Sequence, residues 1–300
     1  MEEIHFVVRQ AREKTGDERR NAIAQLQKLA FEDTSREEAV TALFNLWREN
    51  FAVSGDLAAF APTVLQKWKR TYERVKPFQQ EIVTIEWVMD DEYAAVSGEA
   101  EHLIGLLGYF SGEEIGHSLR EALHHLTDPS LRMVAILSLV RRGDSVTPEE
   151  IEPAAASHLS RIYLWEQLQD LGMESLMPER WAAPEELAAS DLSRWLSHPH
   201  ELHAYPEEIE LMRIYTLPEE EEGPEAYVYL FRFREFPKPW EPGEGWMAGV
   251  AGPYRDGRRV GSPWSELRQW DSMSPEEHVG MLYYRNRGSR CETGDDESEC

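Results

Sequence analysis

Apolar residues recur at three- and four-residue intervals through the first 172 positions. That spacing places them on one face of an α-helix. Residues 4–14 carry Ile4, Val7, Val8 and Ala11. A second segment follows Gly16-Asp17, with Asp17 as its N-cap, and presents Ala22, Ile23, Leu26, Leu29 and Ala30. Ser35 and Glu38 have the spacing of a capping box and open a third helix with Ala39, Ala42, Leu43, Leu46 and Trp47. A fourth follows Gly55-Asp56, with Leu57, Phe60, Ala61, Val64, Leu65 and Trp68. Over 77–110 the period is less regular. Ile82, Ile85 and Met89 suggest one helix, and Ala100, Leu103, Ile104 and Leu107 another, with Gly98 and Gly105 blurring the boundaries.

The pattern then sharpens. Residues 113–126 carry Ile115, Leu119, Ala122, Leu123 and Leu126. Asp128-Pro129 supplies a cap and a first-turn proline. The following helix, 130–141, is apolar nearly all round: Met133, Val134, Ile136, Leu137, Leu139 and Val140. Such a helix is buried on every side. Thr147-Pro148-Glu149-Glu150 combines cap, proline and capping-box glutamate at the start of the next. Gly172, Pro178 and Pro184 interrupt the helices, with short helical pieces around 185–189 and 192–196.

From about residue 207 the period changes to two. Ile209, Leu211 and Arg213–Tyr215 form one candidate strand. Residues 226–234 form the strongest, with Tyr227, Tyr229, Phe231 and Phe233 on one face. Residues 245–254 read as a third strand. Asp256-Gly257 is a hairpin turn into a short fourth at 258–260. A helix near 274–284 closes the ordered part. The expected fold class is mainly α: an antiparallel stack of helical hairpins, with a small C-terminal α+β domain holding a three- to four-stranded antiparallel sheet. The expected division is helical repeats over 1–172, a helical linker over 173–206, a β-rich cap over 207–288 and a disordered acidic tail over 289–300.

Gly-Asp recurs at Gly16-Asp17, Gly55-Asp56 and Gly143-Asp144, intervals of 39 and 88 residues, the second close to two units of 44. Helical-pair repeats have periods of about 40–47 residues. The stretch from Leu126 through Asp128-Pro129 and Arg132 to Gly143 resembles a HEAT repeat: an Asp-Pro turn, then an arginine entering an apolar second helix that ends at glycine. The resemblance, to HEAT-like proteins of bacterial type, implies an α-solenoid acting as a protein-binding scaffold. Some HEAT-like proteins are di-iron hydroxylases that bind metal through paired His-Glu dipeptides. This chain has one such dipeptide, His200-Glu201, outside the repeats.

A net charge of −25 over 300 residues argues against nucleic acid and anionic membranes as partners. It suits solubility and a basic protein partner. No apolar run reaches the roughly 20 residues needed to span a bilayer. The acidic N-terminus lacks the features of a signal peptide, so a cytoplasmic location is expected. Cys291 and Cys300 both fall in the acidic tail, as two exposed thiols or as a bridge between them, and neither staples the folded body.

Phosphate-binding, dinucleotide, nucleophile-elbow, Cys-x-x-Cys and His-Glu-x-x-His motifs are missing from the sequence. No catalytic residue and no cofactor is therefore assigned. His198, His200 and His203 are the weak metal candidates, but Pro199 keeps the first two from sharing a helical face. Glu-x-x-His occurs at Glu99/His102, Glu114/His117 and Glu121/His124. Di-metal bundles draw such pairs from separate helices, whereas these crowd into 26 residues. His124-His125 reads as a solvated helix edge. The candidate binding residues are Trp240 and Trp246, set in a Pro- and Gly-rich stretch, and Arg255, Arg258 and Arg259, a basic turn in an acidic protein. Three functions follow: a non-enzymatic scaffold or adaptor, including an acidic neutraliser of a basic toxin; a metal-dependent enzyme using His198–His203; and a small-ligand module built on Trp240 and Trp246. The oligomeric state is left open.

Overall fold

The computed structural model describes residues 2–32, 37–49, 51, 61–80, 90–197, 206–217, 225–235, 245–255, 258–259 and 264–281. Within these the chain is mainly helical, with an antiparallel sheet towards the C-terminus. It divides into two compact units, one of residues 1–154 and 167–176, the other of residues 155–166 and 177–300. Among the described residues no helix is long and apolar enough to cross a membrane.

The first unit holds α1 (Glu2–Glu13), α2 (Gly16–Glu32), α3 (Glu37–Arg48), α4 (Ala61–Val75), α5 (Asp91–Leu107), α6 (Glu113–His125), α7 (Pro129–Arg142) and most of α8 (Pro148–Ala156). The 3.6-residue stripes are the buried faces: Ile4, Val7 and Ala11 on α1, Ile23, Leu26 and Ala30 on α2, Val64, Leu65 and Trp68 on α4. Helix α7 buries Leu131 and every residue from Met133 to Val140, as its nearly continuous apolar sequence requires. Its Asp128 cap accepts hydrogen bonds from the Ser130 and Leu131 amides. Its C-terminus turns on Gly143 at φ +80°, a left-handed conformation that suits glycine. At α8 the Glu150 amide donates to Thr147 Oγ1 and the Thr147 amide to Glu150 Oε2, completing the expected capping box.

Two expectations change in this unit, and others fall outside the described residues. Asp17 lies in the first turn of α2, which begins at Gly16, and its carboxylate pairs with Arg20 one turn on instead of capping. Helix α5 starts at Asp91, and Gly98 and Gly105 lie inside it, because Asp90 caps the Tyr93 amide and tertiary packing outweighs the cost of glycine. Helix α4 starts at Ala61; Leu57 and Phe60 lie outside the described residues. So do Ser35 and the helix expected around Ile82, Ile85 and Met89.

Among the described helices of this unit, the principal packing joins ones at most two places apart in that series. Helix α2 packs on α1, α3 and α4, and α5 on α4, α6 and α7. The odd-numbered helices also pack in series, α1 on α3, α3 on α5 and α5 on α7.

In the second unit α9 (Arg161–Asp170) contributes its first six residues. Helix α10 spans Pro184–Ser197 without a break, where two short pieces were expected. No proline or glycine separates Ala189 from Leu192, so nothing stops the helix there. It lies in the stretch expected as a linker, and it packs on the sheet. The three long strands are β1 (Pro206–Leu217), β2 (Ala226–Glu235) and β3 (Met247–Arg255), in that order and antiparallel. The outer edge of β3 pairs with β4 (Arg258–Arg259) near its end and with β5 (Trp264–Gln269) near its start. Strand β5 has no alternating pattern strong enough to mark it in the sequence. Helix α11 (Pro275–Val279) follows, with the Ser274–Glu277 capping box.

The period-two pattern of β2 decides the layering. Tyr229, Phe231 and Phe233 face α10 and form a core with Ala188, Ala189, Leu192, Leu196, Ala251 and Tyr254. Val228 and Leu230 face the other way, with Leu217, Ala248, Val250 and Val279. Gly249 lets α10 approach: a Cβ there would lie 2.7 Å from Leu192 Cδ2.

Candidate functional site

Helix α10 carries both the sheet's cover and a run of buried polar residues, Ser190, Asp191 and Ser193. Asp191 lies three residues after Ala188, on the apolar stripe itself, and its side chain is 2% exposed. A buried carboxylate requires partners. Tyr254 of β3 donates its hydroxyl to Asp191 Oδ2 at 2.6 Å. Arg259 of β4 donates from Nη1 to Oδ1 at 2.5 Å. Burial pushes the Asp191 carboxyl above its ordinary range, and the Tyr254 and Arg259 bonds pull it back. The Tyr254 hydroxyl is raised by its own burial and by the adjacent carboxylate. Strands β3 and β4 are thus both held to α10 by charge-assisted hydrogen bonds to one carboxylate.

The same helix is gripped on its other side. Ser190 Oγ accepts from the Ile162 amide at 2.9 Å and donates to the His158 carbonyl at 2.5 Å. Arg161 is fully buried and donates to four oxygens: the carbonyls of Ala155 (2.7 Å), Ala156 (2.9 Å) and Glu186 (3.0 Å), and the Glu186 carboxylate (2.5 Å). Its guanidinium lies 4.3 Å from the Trp181 ring centroid. The imidazole of His158 is pushed down to about 4 by burial and by the Arg161 charge. Its Nδ1 is buried with no partner among the described residues.

Trp246 sits at the opposite end of β3. It shares the sheet face away from α10 with Arg232, whose guanidinium is 4.3 Å above the indole, and with Arg234 at 5.9 Å. Both arginines also pair across to β1. Arg232 bonds Glu210 Oε2 through Nε (2.8 Å) and Nη2 (2.6 Å), and Arg234 bonds Glu208. The indole is covered by cations whose charge is already balanced, which is a packing arrangement.

The structure therefore separates the expected binding residues. Trp246 and Arg255 are nine residues apart along β3, roughly 25–30 Å at strand rise. Arg259 is committed to Asp191. Arg255 is half-buried, with Nε lacking a hydrogen-bond partner among the described residues. Arg258 forms β4 with Arg259, and its side chain lies outside the described set. Trp240 and the metal candidates His198, His200 and His203 lie outside it entirely, as do Cys291 and Cys300.

The Glu-x-x-His pairs are engaged separately. Glu99, 8% exposed at its side chain, is bound by Lys67 at 3.3 Å and Arg74 at 2.6 Å. His102 Nδ1 is 3.2 Å from Thr41 Oγ1. Glu114 pairs with Lys69, and His124 with Glu150 at 3.5 Å. Among the described residues no group of three or more His, Cys, Asp and Glu is arranged to hold a metal. Asp191, Tyr254 and Arg161 do not stand out in the sequence. The usable signal was a lone charged residue on an apolar helical stripe, as Asp191 is beside Ala188 and Leu192.

No protein-family model matches the chain. No curated protein and no solved structure matches it either.

Proposed function

We propose that the chain is a non-enzymatic protein-binding scaffold whose helical unit is a HEAT-like stack of antiparallel hairpins. The observation that carries this reading is the packing order. Among the described helices of the first unit, principal contacts join ones one or two places apart in the series, and α1, α3, α5 and α7 follow one another in contact. Quasi-one-dimensional repeats pack in this way, and such arrays present long surfaces to protein partners. The charged groups support the same reading. Asp191, Arg161, Glu99 and Asp128, buried charged residues of the described set, are bonded to other protein groups, as structural ions are.

Net charge favours a particular partner class, a basic protein such as a cationic toxin, since acidity accelerates association with it. Affinity purification of the full chain from its native host, with partners identified by mass, tests both statements. Recovery of one partner in stoichiometric amount supports the scaffold, and a basic partner released by salt supports the neutraliser. A neutral or acidic partner removes the neutraliser and leaves the scaffold. Bound transition metal at one equivalent, with melting lowered on chelation, overturns the non-enzymatic reading in favour of a metal site.

A further inference from the structure

Among the described residues six large apolar side chains are exposed, and three of them, Leu211 (39%), Met212 (38%) and Ile214 (48%), fall within four positions of β1. Strand β1 is twelve residues long, about 40 Å at strand rise. It pairs with β2 on one side and, among the described residues, ends the sheet on the other. An edge of this length with apolar side chains is a template for another strand.

The bulge in β1 sets which side chains share a face. Ile209, Leu211 and Ile214 lie opposite Phe233, Phe231 and Tyr229, on the side of α10. Glu208, Glu210, Arg213 and Tyr215 lie opposite Arg234, Arg232, Leu230 and Val228, on the other side. Met212 is the extra residue between them. In an uninterrupted strand Ile209 and Ile214 would point to opposite faces. Here they do not, so a two-fold axis through the bulge sets Ile209 of one copy against Ile214 of the second on one face. It sets Glu210 against Arg213 on the other.

Charge selects the occupant. The chain carries −25, yet the strand's described charges are balanced: Glu208 by Arg234, Glu210 by Arg232 and Arg213 by Glu276. The strip is apolar and its described charges are paired, so with salt screening distant acids beyond about 8 Å, contact between two copies meets little repulsion at the strip itself. A second copy brings its own Ile214 to Ile209 and its own Arg213 to Glu210, a complementarity that the strand has with itself. We infer that β1 is a self-association edge, at which two copies join antiparallel and extend their sheets across a two-fold axis. This inference stands independently of the scaffold reading.

Sedimentation velocity of the full chain from 1 to 100 µM tests it. The expected species is a dimer, twice the 34.7 kDa of one chain, tightening between low and moderate salt as the two net charges are screened. Ile214→Lys and Leu211→Lys place a charge on the exposed strip and are expected to raise the dissociation constant at least tenfold, with unchanged circular dichroism. A second measurement stands if either variant fails to fold. With Cys291 and Cys300 changed to Ser, Met212→Cys at the axis is expected to give a disulfide-linked dimer under mild oxidation, and Thr216→Cys is not. A native chain that stays monomeric at 100 µM overturns the proposal. So does a dimer indifferent to both lysine variants, or one cross-linked equally through positions 212 and 216.

Discussion

In the helical unit the buried polar groups join one helix to a neighbour. Glu99 on α5 takes Lys67 and Arg74 from α4, and Ser138 on α7 donates to the Ile104 carbonyl of α5. Gln79 accepts from the Thr127 and Asp128 amides ahead of α7. In the sheet-bearing unit comparable groups converge on one helix. Asp191, Ser190 and Glu186 all belong to α10, and they receive Tyr254, Arg259, the Ile162 amide and Arg161. A distributed set loses one crossing when one member is removed. A convergent set exposes several buried acceptors at once. The two units should therefore respond differently to single changes.

The largest expected effect is at Arg161. Arg161→Ala leaves the buried Ala155 carbonyl and the partly buried carbonyls of Ala156 and Glu186 without their donor, and removes the guanidinium from Trp181. Each donor or acceptor left unpaired in the interior costs about 1–3 kcal/mol, and several are lost here at once. Hydrogen exchange is the measurement, because two units need not unfold together. Amides of α10 and β2 should lose protection while those of α5 and α7 keep theirs. Equal loss in both units would contradict the contrast drawn above.

Next comes pH. The folded His158 imidazole titrates at about 4, against an ordinary value of 6.5. Between those values the unfolded chain binds the extra proton, so stability falls as pH drops through that window and is complete above it. The difference amounts to at most about 3 kcal/mol. His158→Leu should flatten the dependence of unit-two stability between pH 7 and 4 relative to the native chain, while the carboxylates common to both proteins cancel. Parallel profiles would show that the ring is not held neutral.

A close approach gives the third effect, in the other unit. A Cβ at Gly108 would lie 2.8 Å from Ser138 Cα, which is backbone and cannot swing aside. Gly108→Ala should force α5 and α7 apart at about 1–3 kcal/mol, read as earlier exchange in those two helices alone.

These contrasts mark what the sequence could and could not disclose. Helix positions were legible because burial follows a 3.6-residue period: each apolar residue named on α6 and α7 is buried. Strand β2 was legible for the same reason at a period of two. Strand β5 was not, since Trp264–Gln269 is held by its pairing with β3 and not by its own pattern. The polar anchors were hidden because their partners are distant in sequence. Tyr254 and Arg259 lie more than sixty residues from Asp191. Arg259 drew notice as part of a basic turn, the right residue with the wrong partner, because nothing local to residues 255–259 reveals a carboxylate on α10.

The smallest expected effect bears on burial as a cause of these differences. Lys67 and Lys69 lie two residues apart on α4, and each holds a glutamate of another helix. The Lys69–Glu114 pair is 2.7 Å long with side chains 53% and 70% exposed, whereas Lys67 and Glu99 are 11% and 8% exposed. Water already solvates the first pair, and screening weakens it further, so Glu114→Gln should change stability by less than about 0.5 kcal/mol. Glu99→Gln keeps the shape but leaves Lys67 without its buried counter-charge, and should cost about 1–3 kcal/mol. The two substitutions are chemically identical and act on lysines of the same helix, and they differ in burial and in the second cation, Arg74, that Glu99 also binds. Equal costs in urea unfolding would mean that ion pairing at α4 owes nothing to burial. The contrast between distributed and convergent anchoring would then lose its physical basis.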